Sequence, residues 1–375
     1  FKYAESVATA DGKNGDKEAA PLFARLAHRW PGFEHTDLAL YRAGLGFAAG
    51  DSYADAAASW EALLAAHPES DYARDATIEI ARVHEKSGNK RSAASAYERF
   101  SRLYQDDPDA PAALFRAADL LAIAEDERGS EQMRTIFITR FPGEVETVME
   151  IRAERAEREL AKVTAGAATL TSLLAVSSQV GAPDGTDPEV SQLKAYMALA
   201  AQNPEMASPV ILAQVDYFKA EESYAVYASM RLTQPLPSAI EHKQKKLTEL
   251  LDMYDRCTRH GMTEYSRASA HRIGQSLIHF GDALVASERP TGLSEDDLLA
   301  YDEVLEEQAW EFFDRGEDVW SELLQQTREA KEDPGQWIAR TREALWPRLA
   351  WRFLYQPEVD YPLVAAVPPG ESEAK

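Results

Sequence analysis

Few residues in this sequence have the type and spacing that covalent chemistry needs. Cys257 is the only cysteine, and His260 follows it three residues later, so this pair is a candidate thiol nucleophile with its base. No acidic residue in an evident motif orients the histidine, and we expect Cys257 to be half buried in a helical core. Ser87 and Lys90 match S-x-x-K, the nucleophile spacing of penicillin-binding enzymes, but they fall on a predicted turn between two helices. The sequence therefore favours a protein without catalytic activity of its own.

Metal ligands and paired carboxylates do not form a recognisable site either. The eight histidines are scattered, no H-E-x-x-H occurs, and a single cysteine allows neither a disulfide nor a C-x-x-C zinc site. Asp106-Asp107 and Asp296-Asp297 are expected at helix ends, where the helix dipole favours carboxylates, rather than as the acid pair of a glycosidase. We predict no metal and no cofactor.

The elements that would have to position a functional group belong to a long, acidic chain. Its 375 residues suggest two domains or one repeat array, and its 45% apolar and 27% charged residues are ordinary for a packed protein. The 63 acidic and 40 basic residues give a net charge of −23. Because phosphates would be repelled, nucleic acid and anionic membrane surfaces are poor partners.

Prolines occur at nearly regular intervals in the first half of the sequence. Pro31, Pro68, Pro108 and Pro142 each follow an apolar helical pattern, and they lie 37, 40 and 34 residues apart. A period of this size is typical of stacked antiparallel helix pairs, in which each pair buries its apolar face against its neighbours.

The unit from Leu38 to Glu69 shows the pattern most clearly. Small residues on its first helix allow close approach of the second, and Trp60 is predicted to be core. The unit resembles the tetratricopeptide repeat family, although Ala43 stands where that family often has leucine. The residues that carry the resemblance are Leu40, Gly44, Phe47, Ala56, Trp60, Leu63 and Pro68.

Junctions such as His67-Pro-Glu-Ser-Asp-Tyr-Ala73 are similar to those of one subgroup of that family. This subgroup works in the bacterial envelope and includes the outer-membrane assembly lipoprotein and the coordinator associated with Tol-Pal. The resemblance covers residues 1–162 and implies about four repeats in a right-handed superhelical solenoid. The first repeat is expected to be truncated, with a leader or further residues removed before Phe1.

The middle of the chain, residues 163–190, is predicted to be an uncharged helix followed by a linker. Val163 to Pro183 carries no charge, so a membrane span is one interpretation. Its many Ser, Thr and Gly residues favour the other, a buried helix of a fifth repeat or one wedged between the halves. Glu144 to Lys162 before it is expected to be a mostly solvated helix, and Gly181 to Pro188 after it to be a linker.

Residues 191–356 are predicted to form a divergent array with longer helices. The expected helices are Pro209–Leu232, Ser238–His260, Thr263–Ala286 and Ser294–Thr327. Pieces of this half resemble long tetratricopeptide proteins of bacterial envelopes; they are Lys245 to Leu250, Arg267 to Gly274 and Pro290 to Tyr301. Residues 357–375 form a proline-rich tail that is expected to be extended.

Two surfaces are candidates for binding other proteins. The first is the concave face of the solenoid, where rigid helices can grip an extended peptide or a partner helix; an empty solvated groove is the alternative. The second is a tryptophan cluster near the end, which either seals the last helix pair or forms an exposed interface. The groove candidates are Tyr41, Leu45, Ile78, Arg82, Phe115 and Asp119, and the cluster is Trp337, Trp346 and Trp351.

Two functions from different classes remain open. The favoured one is a non-enzymatic scaffold or adaptor in the periplasm or at the envelope, a subunit of a protein complex there, with cytoplasm as the other compartment. The alternative is a helical accessory domain of a larger enzyme or regulator whose catalytic part lies before Phe1.

Overall fold

The computed structural model describes residues 1–10, 15–175, 191–330 and 335–353. Over these residues every regular element is a helix, no strand occurs, and the helices pack in consecutive pairs, which confirms the all-α prediction. The chain divides into two compact units. Unit one holds Phe1–Ala167 and Ser172–Ala207, and unit two holds Ala168–Thr171 and Ser208–Lys375.

The array in unit one repeats every 37 residues, within the 34 to 40 residues that separate its prolines. Each full repeat has two 14-residue helices joined by a three-residue turn; six residues follow each of the first two full repeats and four follow the third. The proline spacing varies around this period because the prolines occupy different positions in the connections. Pro68 directly follows His67, the residue that caps its helix, whereas Pro108 stands four residues after Tyr104, the equivalent cap. The helices are α1 (Lys2–Ala10), α2 (Gly15–Arg29), α3 (Thr36–Ala49), α4 (Tyr53–Ala66), α5 (Ala73–Lys86), α6 (Lys90–Leu103), α7 (Ala110–Ile123) and α8 (Glu127–Arg140).

The turn that joins the two helices of each pair has the same backbone conformation in all three full repeats. Asp51, Gly88 and Glu125 occupy equivalent positions with φ of 59°, 78° and 60°, the left-handed region that glycine adopts most easily. The next N–H then reaches back to a carbonyl five residues earlier, which closes the Schellman motif at the helix end. These 2.9 Å bonds run from Ser52 to Phe47, from Asn89 to His84 and from Asp126 to Leu121.

Packing within a pair is set by size complementarity. Trp60 is fully buried, as predicted, and a Cβ on Gly44 would lie 2.3 Å from its indole ring. Its Nε1 donates to the carbonyl of Tyr41 at 3.1 Å. The indole therefore fills a hole on the first helix of its own pair. In the next repeat, the position of Trp60 holds the smaller Tyr97, and the position of Gly44 holds the larger Ala81.

The region after the array departs from two expectations. α9 (Val145–Thr164) is not mostly solvated, because Val148, Ile151 and Leu160 are among its buried residues. The uncharged stretch does not continue as one buried helix: residues 165–169 form turns and bends, and the short α10 (Leu170–Ala175) buries only Leu170 among its described side chains. Serine, threonine and glycine lack charge, but they contribute little apolar surface to bury. Residues 176–190, with the predicted linker, lie outside the described part.

None of the described helices is both long and apolar enough to cross a membrane. Unit one ends with α11 (Gln192–Gln202), which packs against α9, and with a short 3-10 helix at Pro204–Met206.

Unit two consists mainly of long helices, and the ends of the first four lie within three residues of the predicted ones. Residues 354–375, with the predicted proline-rich tail, lie outside the described part. The helices are α12 (Pro209–Ser229), α13 (Leu236–Thr258), α14 (Thr263–Val285), α15 (Glu295–Ala330) and α16 (Gly335–Phe353).

A glycine–tryptophan contact also holds α14 and α15 together. A Cβ on Gly274 would lie 2.3 Å from the Nε1 of Trp320, which donates to the carbonyl of His271 at 2.8 Å. In both units the acceptor carbonyl belongs to the residue three positions before the glycine. The contact is therefore the same as that between Gly44 and Trp60.

A buried lysine closes the end of α12. The side chain of Lys243 is inaccessible to solvent, and its Nζ donates to the carbonyls of Tyr227 at 3.0 Å and Met230 at 2.7 Å. It also lies 4.5 Å from the centre of the Tyr227 ring. Burial lowers the pKa of Lys243 to about 8. The amino group thus satisfies carbonyls that the helix leaves unpaired at its C-terminus.

Candidate protein-interaction site

The six groove candidates occupy two equivalent positions on the first helices of the array. The positions are four residues apart, so they lie one turn apart on the same side of each helix. We call this surface, formed by α3, α5 and α7, the array face. One row consists of Tyr41, Ile78 and Phe115, and the other of Leu45, Arg82 and Asp119.

The two rows differ in what they offer to a partner. Leu45 is 40% exposed and Arg82 is exposed, while the rings of Tyr41 and Phe115 are partly accessible. Ile78 is only 4% exposed and belongs to the core, which corrects its assignment as a contact residue. Ile78 lies on α5, the middle helix of the three. Its short aliphatic side chain is enclosed, whereas the aromatic rings of Tyr41 and Phe115 at the equivalent positions reach the surface.

An aromatic stack at the array face ties two repeats together. The rings of Tyr41 and Tyr72 are 5.0 Å apart and nearly parallel, with an angle of 17° between them. Partial burial, followed by the nearby carboxylates of Asp75 and Glu79, raises the pKa of the Tyr41 hydroxyl. Tyr41 therefore stays neutral at physiological pH and can use both its ring and its hydroxyl in contacts.

The charged groups of the array face already pair with one another. Arg82 donates to Glu79 on the same helix at 2.5 Å. Arg116 on α7 binds Glu85 on α5 and lies 4.0 Å from Asp119. Hydrogen bonds from Arg116 lower the pKa of Glu85, although partial burial alone would raise it. The face is thus a row of alternating charges held in place before any partner arrives.

A second contact between repeats lies at the start of the first helices. Arg74 donates to both oxygens of Asp107 at 2.9 Å, and this pairing lowers the pKa of Asp107. The equivalent residues one repeat earlier are Asp37 and Ser70, whose hydroxyl donates to the carboxylate at 2.7 Å. The donor and the carboxylate exchange places between the two pairs, but both pairs join the same two positions of neighbouring repeats. Asp107 is therefore a structural link between repeats, not a simple solvated cap.

The tryptophan cluster separates into residues with different roles. Trp337 is buried and packs against Tyr217 and His271, with ring centres 6.1 and 5.5 Å apart, so it seals unit two. Trp346 is 61% exposed. Trp351 lies in the last turn of α16, and its side chain is outside the described part. Of the two described side chains, that of Trp346 is accessible for contact with a partner.

The histidine beside Trp337 is neutral and fixed in one tautomer. The Thr341 hydroxyl donates to the carbonyl of Trp337, so it must accept from Nδ1–H of His271, 2.9 Å away. Burial lowers the pKa of His271 to about 4, with smaller contributions from Arg272 and Arg340. Its position on α14 makes it part of the core rather than of a reactive site.

The residues that resembled catalytic groups have structural partners. Cys257 is fully buried rather than half buried, its thiol donates to the carbonyl of Ala213, and burial raises its pKa, which disfavours the reactive thiolate. His260 pairs instead with Asp216 at 2.9 Å, an acidic partner that the sequence pattern did not indicate. Ser87 donates to the backbone of its own helix, and Lys90 contacts a carbonyl of α7.

The described ranges of the chain hold no group of three or more His, Cys, Asp or Glu side chains placed for a metal ion.

Comparison with known protein families gives a match, and it lies over the array. The model of the YfiO family, described as an outer membrane lipoprotein, matches residues 34–174. This range begins just before α3 and contains all three full repeats, so the similarity to this family covers the array. No curated protein matches the chain. The predicted resemblance of residues 191–356 to long envelope proteins stays a prediction.

Proposed function

We propose that this chain is a non-enzymatic scaffold in the periplasm of a bacterial envelope, a subunit of a protein complex that it holds together through the array face. The observation that carries the proposal is the match to an outer membrane lipoprotein family over residues 34–174, the range that contains the array face.

The geometry suits binding better than chemistry. The array face combines a partly accessible aromatic pair with an exposed leucine, and its ion pairs hold the helices rigidly. Rigid display lowers the entropy that a partner segment must lose on binding. We infer that the partner inserts apolar side chains near Tyr41 and Leu45 and aligns charges with Arg82 and Asp119.

A pull-down from the native envelope tests this assignment. Tyr41→Ala combined with Arg82→Glu removes the stacked ring and reverses one charge of the face. The matched control is Tyr53→Ala with Arg99→Glu, which makes the same chemical changes on the second helices α4 and α6. The array-face variant should lose the partner, the control should retain it, and binding of the wild type should weaken as salt rises.

The proposal fails if both variants recover the same proteins as the wild type. It also fails if the wild type recovers no envelope protein at low salt. A circular dichroism spectrum of each variant establishes that the helices are intact, since both changed positions are at least partly exposed.

A further inference from the structure

Charge is distributed very unevenly in this chain. The single helix α15 contains thirteen acidic and two basic residues, a net charge of −11, which is about half of the −23 of the whole chain. Its buried side, with Leu305, Ala309, Trp320 and Leu323, packs into unit two. Most of the carboxylates lie on the other side, in solvent.

Large apolar side chains interrupt this acidic surface. Leu299 is 63% exposed and Trp310 is 54% exposed. They are eleven residues apart, which is three turns or about 16 Å along the axis, so they lie on the same face. Glu303 and Glu306 lie between them at the intervening turns, and Val304 is also exposed nearby.

Five carboxylates around this stripe have no ion-pair partner among the described residues. Asp302 and Glu317 of α15 pair with arginines of unit two. By contrast, Glu303, Glu306, Glu307, Glu311 and Asp314 are exposed and form no ion pair with a described residue. Closely spaced like charges on a helix repel, and a partner with positive charges would relieve that repulsion.

We propose that the exposed face of α15, defined by Leu299, Trp310 and the five carboxylates around them, binds a basic amphipathic helix of a partner protein. The two apolar residues match a helix that presents apolar side chains along one stripe. Lysine and arginine beside that stripe would meet the carboxylates. An exposed tryptophan in such a setting is the residue type that contributes most to interface energy.

This surface goes beyond the array face, since it lies in unit two and needs no contact with the repeats. Its acidity disfavours an anionic lipid or a nucleic acid as occupant, because both carry the same sign of charge. A basic protein helix satisfies both the apolar and the charged parts of the face.

The test uses the full chain and a synthetic peptide of about 18 residues, long enough to span the stripe as a helix. The peptide has leucines at i, i+4, i+7 and i+11 and lysines on the remaining faces, and its fluorescence anisotropy reports binding. A scrambled peptide of identical composition has the same charge but no stripe. We expect the patterned peptide to bind at least about tenfold more tightly than the scrambled one.

Two pairs of variants assign the binding to this face. Leu299→Ser with Trp310→Ser should weaken binding by at least about tenfold, whereas Val226→Ser, an exposed apolar position on α12, should not change it. Changing Glu303, Glu306 and Glu307 to glutamine should weaken binding and flatten its salt dependence. The matched control changes the exposed Glu241, Glu249 and Asp252 of α13 to the corresponding amides.

Equal binding of the two peptides would overturn the proposal, because it would show attraction to net charge alone. Unchanged affinity in the Leu299/Trp310 variant would overturn it as well. If that variant instead abolishes self-association of the free chain, the face is an interface between two copies and the proposed occupant is wrong. None of these outcomes affects the array face.

Discussion

The array and the long-helix unit use the same contact at very different sequence distances. Gly44 and Trp60 are 16 residues apart, whereas Gly274 and Trp320 are 46 apart, yet both indoles cover a glycine and donate to the carbonyl three residues before it. In the array the helices are short and the turn is fixed, so the two positions recur with the repeat, although the next repeat holds Ala81 and Tyr97 there. In unit two the helices are 23 and 36 residues long, and the same contact forms without a period.

The difference shows which part of a helical repeat is essential for packing. A glycine lets the large ring approach, and the indole N–H needs an acceptor once it is buried. Both requirements are met by any two antiparallel helices that place the two residues opposite each other. The period of the array is a property of its loops rather than of this contact.

Removing the indoles should have the largest effect in both units. Trp60→Ala and Trp320→Ala each leave a large cavity, and each should cost about 3–5 kcal/mol of stability. Hydrogen exchange resolved by helix should show the loss in α3 and α4 for the first variant and in α14 and α15 for the second. A loss below about 1 kcal/mol in either unit would break the equivalence of the two contacts.

Acid should distinguish the units, because only the contact in unit two has a buried histidine beside it. The pKa of His271 is about 4 when folded and about 6.5 when unfolded, so the unfolded chain binds the proton first. The contribution of His271 to the free energy of unfolding is complete above pH 6.5. It is lost as the pH falls towards 4, by about 3 kcal/mol in total.

His271→Asn retains an N–H donor for Thr341 but does not titrate. Urea unfolding of unit two, followed between pH 7 and 4.5, should therefore show a shallower pH dependence in this variant than in the wild type. If the two slopes are the same, His271 does not link pH to the stability of unit two.

Filling the glycine sites should have an intermediate effect. Gly44→Ala and Gly274→Ala each place a Cβ against an indole at 2.3 Å, and overpacking of this kind costs about 1–3 kcal/mol. Adding Trp60→Tyr to Gly44→Ala recreates the Ala81–Tyr97 combination of the next repeat. Thermal unfolding should show the double variant to be more stable than Gly44→Ala alone, and a purely additive loss would contradict size complementarity.

The smallest effect should appear at the turns between the two helices of each pair, which recur along the array. Glu125→Gly relieves a left-handed backbone and should raise stability by about 0.5–1 kcal/mol, whereas Gly88→Ala should lower it by about 1 kcal/mol. No atom lies within 4 Å of a Cβ at Gly88, so the loss would come from the backbone alone. Denaturant midpoints measure both changes. Opposite signs to those expected would show that the turns are not equivalent.

The sequence was sufficient to predict features that depend on local pattern. Trp60 in the core and the ends of the long helices follow from apolar periodicity and from glycine and proline at the breaks. The regular 37-residue period does not follow from the proline spacing, because Pro108 occupies a different loop position from Pro68. Ile78 was assigned to the surface because register gives the side of a helix but not the depth at which neighbours cover it.

Features that join distant positions were not predictable in the same way. No spacing rule connects Gly274 to Trp320 or His260 to Asp216, since each pair is brought together by the packing of long helices. The uncharged stretch from Val163 was misjudged because lack of charge was taken as a sign of burial. The candidate residues Tyr41, Leu45, Arg82, Phe115, Asp119 and Trp346 remain predictions as binding residues.

Site-specific photo-crosslinking in living cells tests the scaffold account most directly. A photoreactive residue at Leu45 reports on the array face, and one at Leu103, an exposed leucine at the end of α6, is the matched control. The account predicts a discrete adduct with an envelope protein from Leu45 that disappears in the Tyr41→Ala, Arg82→Glu background, and none of that size from Leu103. The same adduct from both positions, or none from Leu45, would contradict it.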